Sequence, residues 1–199
     1  MKTISAKNFD EIKNNLQAGA VFIYPTETCY GVGADATDAQ AVRRVYEIKK
    51  RPNEKSAIIL VADLKMAEKY AVFSAKARAL AEKFWPGALT LVLPAKAGSD
   101  LAADLISESG EVAMRISGYI LARKIVEVLG HPVVSTSANI SGGKNIYKSE
   151  EITAVFSGAN PAPDFFIDDG DLVENSPSTL VRVKDSETEV LRQGDLVIE

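Results

Sequence analysis

Residues 21–33 read VFIYPTETCYGVG. Val21 to Tyr24 is short, bulky and apolar, the pattern of a buried strand, and Pro25 stops it. A polar stretch follows: two threonines, a glutamate, a cysteine, a tyrosine and two glycines that permit close backbone approach. A buried strand that runs straight into such a loop fits an open α/β sheet, where ligands gather at the carboxyl ends of strands. The plain alternative is a polar turn with a glycine bend. Gly31-x-Gly33 lacks the third glycine of a dinucleotide fingerprint.

On the amino-terminal side, Asn8 to Ala18 predicts a helix, with Phe9, Ile12 and Leu16 at helical spacing and Gly19 as its stop. On the other side, Asp38 predicts the N-cap of a helix that runs to Lys50 and is ended by Pro52. Further helices are expected over residues 64–70, 75–84, 119–129 and 150–156. Strands are expected over 57–61, 90–93, 112–116, 133–135, 165–167, 179–183 and 190–192. This interleaving defines a mixed α/β protein. The stretch SGANPAPD, residues 157–164, is the most linker-like. Only 35 residues follow it, few for a separate core, so it reads as a surface loop and residues 1–199 as one domain.

A second hydroxyl-rich loop, STSANISGG over 135–143, also leaves an apolar strand, Val133-Val134. Its hydroxyls, amide and glycine N–H groups can cradle a phosphate or a nucleobase. No Walker loop occurs anywhere in the chain.

Composition narrows the chemistry. With 46% hydrophobic and 25% charged residues the chain is no collagen, coiled coil or disordered polymer. One cysteine and one histidine exclude an intrachain disulfide, a cysteine metal cluster and a two-histidine metal site. The longest apolar run, residues 57–62, is far short of the ~20 that span a bilayer. Asp10 and Glu11 stand where a signal peptide would be apolar, so a cytoplasmic protein is expected.

The net charge of −4 conceals a split of +5 over residues 1–99 and −9 over 100–199. Six basic side chains fall between residues 43 and 55. Lys49 and Lys50 can simply complement the dipole at a helix C-terminus. Arg51, beside the turn at Pro52, suits a triphosphate. Arg115, an isolated cation closing an apolar strand, suits a substrate carboxylate. The run Asp168-Asp169-x-Asp171 reads as a solvated acidic loop rather than a metal site. No thiol nucleophile or histidine base stands out, which points to phosphoryl or nucleotidyl transfer by positioning and charge neutralisation.

Seven segments in register resemble the YrdC/TsaC family of threonylcarbamoyl-AMP synthases. They are PTETCYGVG (25–33), KKRP (49–52), PGALT (86–90), VAMR (112–115), STSANISG (135–142), PST (177–179) and LRQG (191–194). The resemblance is to the short form, a single YrdC-like domain with a twisted mixed β-sheet and flanking helices around a basic concave cavity. It implies the combination of L-threonine, bicarbonate and ATP into threonylcarbamoyl-AMP and pyrophosphate, for later transfer to adenosine 37 of ANN-decoding tRNAs by a partner transferase complex.

Carried over by motif, Lys49 and Arg51 would be catalytic, and Thr28, Tyr30, Arg115, Ser135 and Ser178 would bind threonine. Arg51, Lys55, Ser137, Asn139, Asn145 and Arg192 would bind ATP, which would bring Mg²⁺. Weak tRNA or double-stranded RNA binding is compatible with the family. The alternatives are an RNA-binding or ribosome-maturation module of the same fold and a paralogue with another adenylation activity. Two positions depart from the family pattern: Leu60 stands where the long form often has histidine, and Thr136 where proline often precedes S-A-N.

Overall fold

The computed structural model describes residues 1–50, 56–185 and 187–198. Among the described residues, ten strands form one mixed sheet in the order β1-β8-β2-β3-β7-β4-β6-β5-β9-β10. β1 is Lys2–Ser5, β2 Phe22–Pro25, β3 Tyr30–Gly33, β4 Ile58–Leu60 and β5 Leu89–Pro94. β6 is Glu111–Arg115, β7 Val133–Ser137, β8 Phe165–Asp168, β9 Thr179–Lys184 and β10 Glu187–Arg192. β8 runs parallel to β1 and β2, β4 to β6 and β5 to β9; the remaining pairs are antiparallel.

Six α-helices among the described residues flank the sheet: α1 Phe9–Asn15, α2 Ala39–Lys49, α3 Leu64–Tyr70, α4 Ala75–Phe84, α5 Ile120–Leu129 and α6 Ser149–Phe156. Their starts follow local chemistry. The Asp38 carboxylate accepts from the backbone N–H groups of Gln40 (2.9 Å) and Ala41 (3.1 Å), Asp63 from Met66 N (2.6 Å) and Ser74 Oγ from Ala77 N (3.2 Å). Two cores lie against the sheet. A larger one gathers Val45, Ile59, Leu91, Met114 and Phe156, and a smaller one Ile12, Phe22, Tyr24, Ile125 and Phe165.

Several elements differ from the sequence expectations. α1 stops at Asn15, three residues early, where Asn15 Nδ2 folds back to donate to Glu11 O (2.7 Å). β1 has only Ile4 buried, too little apolar signal to read as a strand; its partner β8 supplies the pairing. Residues 30–33 form a central strand rather than a loop, paired with β2 on one side and β7 on the other.

The glycines of β3 have a packing reason as well. A Cβ at Gly33 would lie 2.7 Å from Tyr24 Cε1, 2.9 Å from Phe22 Cε2 and 3.1 Å from Val133 Cγ1. Gly33→Ala will therefore force two buried rings apart at about 1–3 kcal/mol. At roughly 2–4 °C per kcal/mol for a chain of this size, calorimetry should show a Tm about 2–12 °C lower. An unchanged Tm would mean the rings yield freely.

The acidic segment is an exposed loop, as expected, with its carboxylates tied down at several points. Asp164 accepts from Val21 N (2.7 Å) and pairs with Arg44 (2.9 Å), Asp169 accepts from Tyr119 Oη (2.5 Å), and Asp171 accepts from Ser149 N (3.3 Å). The linker-like stretch before it feeds β8, which sits between β1 and β2, so the same sheet continues on both sides of that loop.

Candidate functional site

The β2–β3 turn, the ends of β6 and β7, and the segments flanking β9 and β10 enclose a cavity of about 170 Å³. Thr26 shapes the turn: its Oγ1 donates to Cys29 O (2.7 Å) and accepts from Thr28 N (3.2 Å) and Cys29 N (3.3 Å). That fold-back turns Thr28, Cys29 and Gly31 into the cavity wall, opposite Ser135, Thr136 and Ser137 of β7.

The far wall explains why three separated motifs belong together. Thr179 N donates to Ala88 O (2.9 Å), Thr90 Oγ1 and Ser178 Oγ share a hydrogen bond (2.7 Å), and Gly194 N donates to Thr179 Oγ1 (3.0 Å). Arg192 adds three bonds, from Nε and Nη2 to Ser178 O (3.1 and 2.9 Å) and from Nη2 to Ser178 Oγ (3.1 Å). A Cβ on Gly194 would run into Pro177 O, so only glycine lets the two segments touch.

Arg115 lines the cavity with its side chain only 4% exposed. Nη1 donates to Glu27 Oε1 in an ion pair, whose other oxygen accepts from Ser117 Oγ. Nη2 reaches Thr28 Oγ1 only at 3.5 Å, the outer limit of a hydrogen bond. Burial lowers the Arg115 pKa to about 10, the Arg192 charge acts in the same direction, and Tyr24 opposes them. The cation is therefore costly where it stands and gains from any further anion. Cys29 also lines the wall, but burial pushes its thiol up to about 11, which keeps it protonated and a poor nucleophile at neutral pH.

Of the residues expected to bind ligands, Thr28, Arg115, Ser135, Ser137, Asn145, Ser178 and Arg192 share this one cavity. Three others stand elsewhere. Tyr30 is fully buried, its ring edge-on to Phe166 (centroids 5.2 Å apart). Its hydroxyl donates to Gly170 O (2.6 Å) and accepts from Asp169 N (3.1 Å), anchoring the segment before β9 rather than facing the cavity.

Lys49 is 1% exposed. Its ammonium donates to the carbonyl oxygens of Ser137 and Asn139 and to Asn139 Oδ1, the last two at 2.8 Å. Asn139 completes the knot: Oδ1 also accepts from Ser137 Oγ (2.9 Å) and Nδ2 donates to Gly143 O (2.6 Å). Neither residue lines the cavity; in the structure the pair holds the loop after β7 in shape. Arg51 and Lys55 lie outside the described residues.

The two arginines at the start of the basic stretch have partners away from the cavity. Arg43 faces Asp104 (3.8 Å) and Arg44 binds Gly19 O (2.7 Å) and Asp164. Among the described residues, the cations that line the cavity are Arg115 and Arg192. Sequence reading assigned no role to Glu27; the available signal was a carboxylate between two threonines at a strand end. It likewise assigned no role to Ile58, Thr136 and Pro177, which also line the wall. No group of three or more potential metal-ligating side chains occurs among the described residues. Nor is any described helix long and apolar enough to cross a membrane.

A mixed sheet that gathers hydroxyls, glycines and two guanidiniums into one small cavity defines an α/β protein suited to a small anionic ligand. The chain belongs to the Sua5/YciO/YrdC family, described as Telomere recombination, which matches residues 14–194. It is similar to the threonylcarbamoyl-AMP synthase of Bacillus subtilis, 33% identical over 185 residues, covering 92% of this chain and 52% of the relative. A putative threonylcarbamoyl-AMP synthase of Methanocaldococcus jannaschii is 32% identical over 193 residues, covering 97% and 88%. The crystal structure of Pyrococcus abyssi Sua5 complexed with L-threonine matches with a TM-score of 0.88 at 30% identity, covering 98% of this chain and 57% of that one. The chain spans about half the length of the Bacillus subtilis and Pyrococcus abyssi curated relatives, 52% and 53%.

Proposed function

We propose that this protein is an L-threonylcarbamoyladenylate synthase, forming threonylcarbamoyl-AMP and pyrophosphate from L-threonine, bicarbonate and ATP. The observation that carries the reading is Arg115, a buried guanidinium with Nη2 turned toward a cavity lined by Thr28, Ser135 and Ser178. That arrangement suits an amino-acid carboxylate with a hydroxylated side chain beside it. At about 170 Å³ the cavity is smaller than the roughly 300–1,000 Å³ of drug-sized pockets, so it suits the amino acid, while the nucleotide extends toward Asn145 and Arg192.

In this reading the threonine amine condenses with bicarbonate, releasing water, to give a carbamate, and a carbamate oxygen attacks the α-phosphorus as pyrophosphate leaves. Two anions must approach each other. Arg115 and Arg192 lower that barrier by neutralisation, and a common cavity removes much of the entropic cost. Arg51 and Lys55, four positions apart in the sequence, would add charge at the triphosphate. The described lining offers no carboxylate, so Mg²⁺ would arrive on the phosphate oxygens of ATP. A cytoplasmic location and delivery of the product to a tRNA-modifying transferase complex follow from the same reading.

The test is release of pyrophosphate from ATP with each substrate omitted in turn. Turnover should require threonine and bicarbonate together. Equal release without threonine, or with any small amino acid in its place, would overturn the assignment.

A further inference from the structure

Glu27 does not line the cavity; its carboxylate opens to a neighbouring surface depression with Tyr119, Asp169 and Asn175. It stands behind Arg115 and is held from several sides. Oε1 takes Arg115 Nη1, Oε2 takes Ser117 Oγ, and Asn175 Nδ2 donates to the Glu27 carbonyl (2.9 Å). Ser117, itself 1% exposed, accepts from Tyr119 N (3.1 Å) at the start of α5. A continuous chain of hydrogen bonds therefore runs from the N-terminus of α5 through Ser117 and Glu27 to the guanidinium. It engages the Nη1 side of Arg115 and leaves the Nη2 side facing Thr28 and the cavity.

We propose that Glu27 is a positioning residue for ligand recognition: it locks the Arg115 guanidinium in the one orientation that presents Nη2 to the carboxylate of an amino acid in the cavity. The physical need is plain. An arginine has several rotatable bonds and donates as a planar fork, so a two-point match to a carboxylate requires that plane to be fixed beforehand. Glu27 also offsets the burial of the cation when the cavity is empty, which holds Arg115 in place.

This inference rests on threonine as the ligand, and its test separates the two claims. Glu27→Gln keeps the size of the side chain but removes its charge, and Glu27→Asp retains the charge on a shorter stem. Threonine and ATP affinities are measured separately by calorimetry on wild type and both variants, and the Arg115 side-chain N–H signals are followed by NMR, assigned with Arg115→Lys.

Glu27→Gln should weaken threonine at least tenfold, leave ATP within twofold and lose the slowly rotating Arg115 signal. Glu27→Asp should recover part of the threonine affinity and of the signal. Threonine affinity within twofold of wild type in Glu27→Gln overturns the proposal, as does an equal loss for both ligands. If wild type itself fails to bind threonine, the functional reading falls. The NMR signal then still decides whether Glu27 orients Arg115: its persistence in Glu27→Gln overturns that orientation, and its loss upholds it.

Discussion

Replacing Lys49 with methionine will unfold this protein roughly 6–12 °C below the wild type and abolish its activity in the same step. The ammonium of Lys49 satisfies three oxygens at the end of β7 and in the loop after it, two of them at 2.8 Å, and the residue is 1% exposed. Methionine fits the channel but donates nothing. Buried acceptors left without partners cost about 1–3 kcal/mol each when water cannot reach them, so a net loss of about 3 kcal/mol is a moderate expectation. For a chain of this size each kcal/mol moves Tm by roughly 2–4 °C.

The result discriminates between two roles for the same residue. If Lys49 were an exposed phosphate ligand, methionine would remove activity and leave Tm unchanged. If it holds the loop, Tm and activity fall together, and hydrogen exchange should quicken for the backbone amides of residues 137–143. An unshifted Tm would return Lys49 to the phosphate role.

Arg115→Ala should weaken threonine binding by at least a hundredfold while leaving ATP affinity nearly intact. Truncating one partner of a buried, hydrogen-bonded charge contact typically costs about 2–5 kcal/mol, which spans that factor. Part of the damage will be structural, because Glu27 loses its cation while its side chain is only 21% exposed. The double variant Glu27→Ala/Arg115→Ala separates the two effects. It should recover stability relative to Arg115→Ala, since no unpaired carboxylate remains, yet bind threonine no better. Recovered binding in the double variant would show that Arg115 does not contact the ligand.

These expectations depend on partners that the chain brings together from far apart. Lys49 and Asn139 are 90 positions apart, and Glu27 and Arg115 are 88. The helices were largely legible beforehand, because each is written in its own residues. Leu64–Tyr70 and Ala75–Phe84 have the bounds expected from the sequence, and in the structure Asp63 and Ser74 cap them. The strands with bulky apolar runs, β2, β4, β5 and β6, were legible for the same reason.

β3 was not, since its two glycines resemble a loop until Tyr24 and Phe22 are seen packed against them. The site divides along the same line. Thr28, Ser135, Ser137 and Ser178 could be picked out as hydroxyls at strand ends, and Arg115 as a lone cation among apolar neighbours. The part played by each cation could not, because charge along the chain does not say what will stand opposite it in space.

Local chemistry in the sequence thus determined the α/β class, the helices and their caps, and the two hydroxyl-rich loops. The tertiary structure alone decided that Lys49 turns inward to hold a loop, that Arg43 and Arg44 are spent on surface carboxylates, and that Glu27 stands behind Arg115. The reason is physical. Backbone periodicity and capping act over a few residues, whereas a buried charge is stable only beside the particular groups that compensate its desolvation, and those groups are supplied by the whole fold.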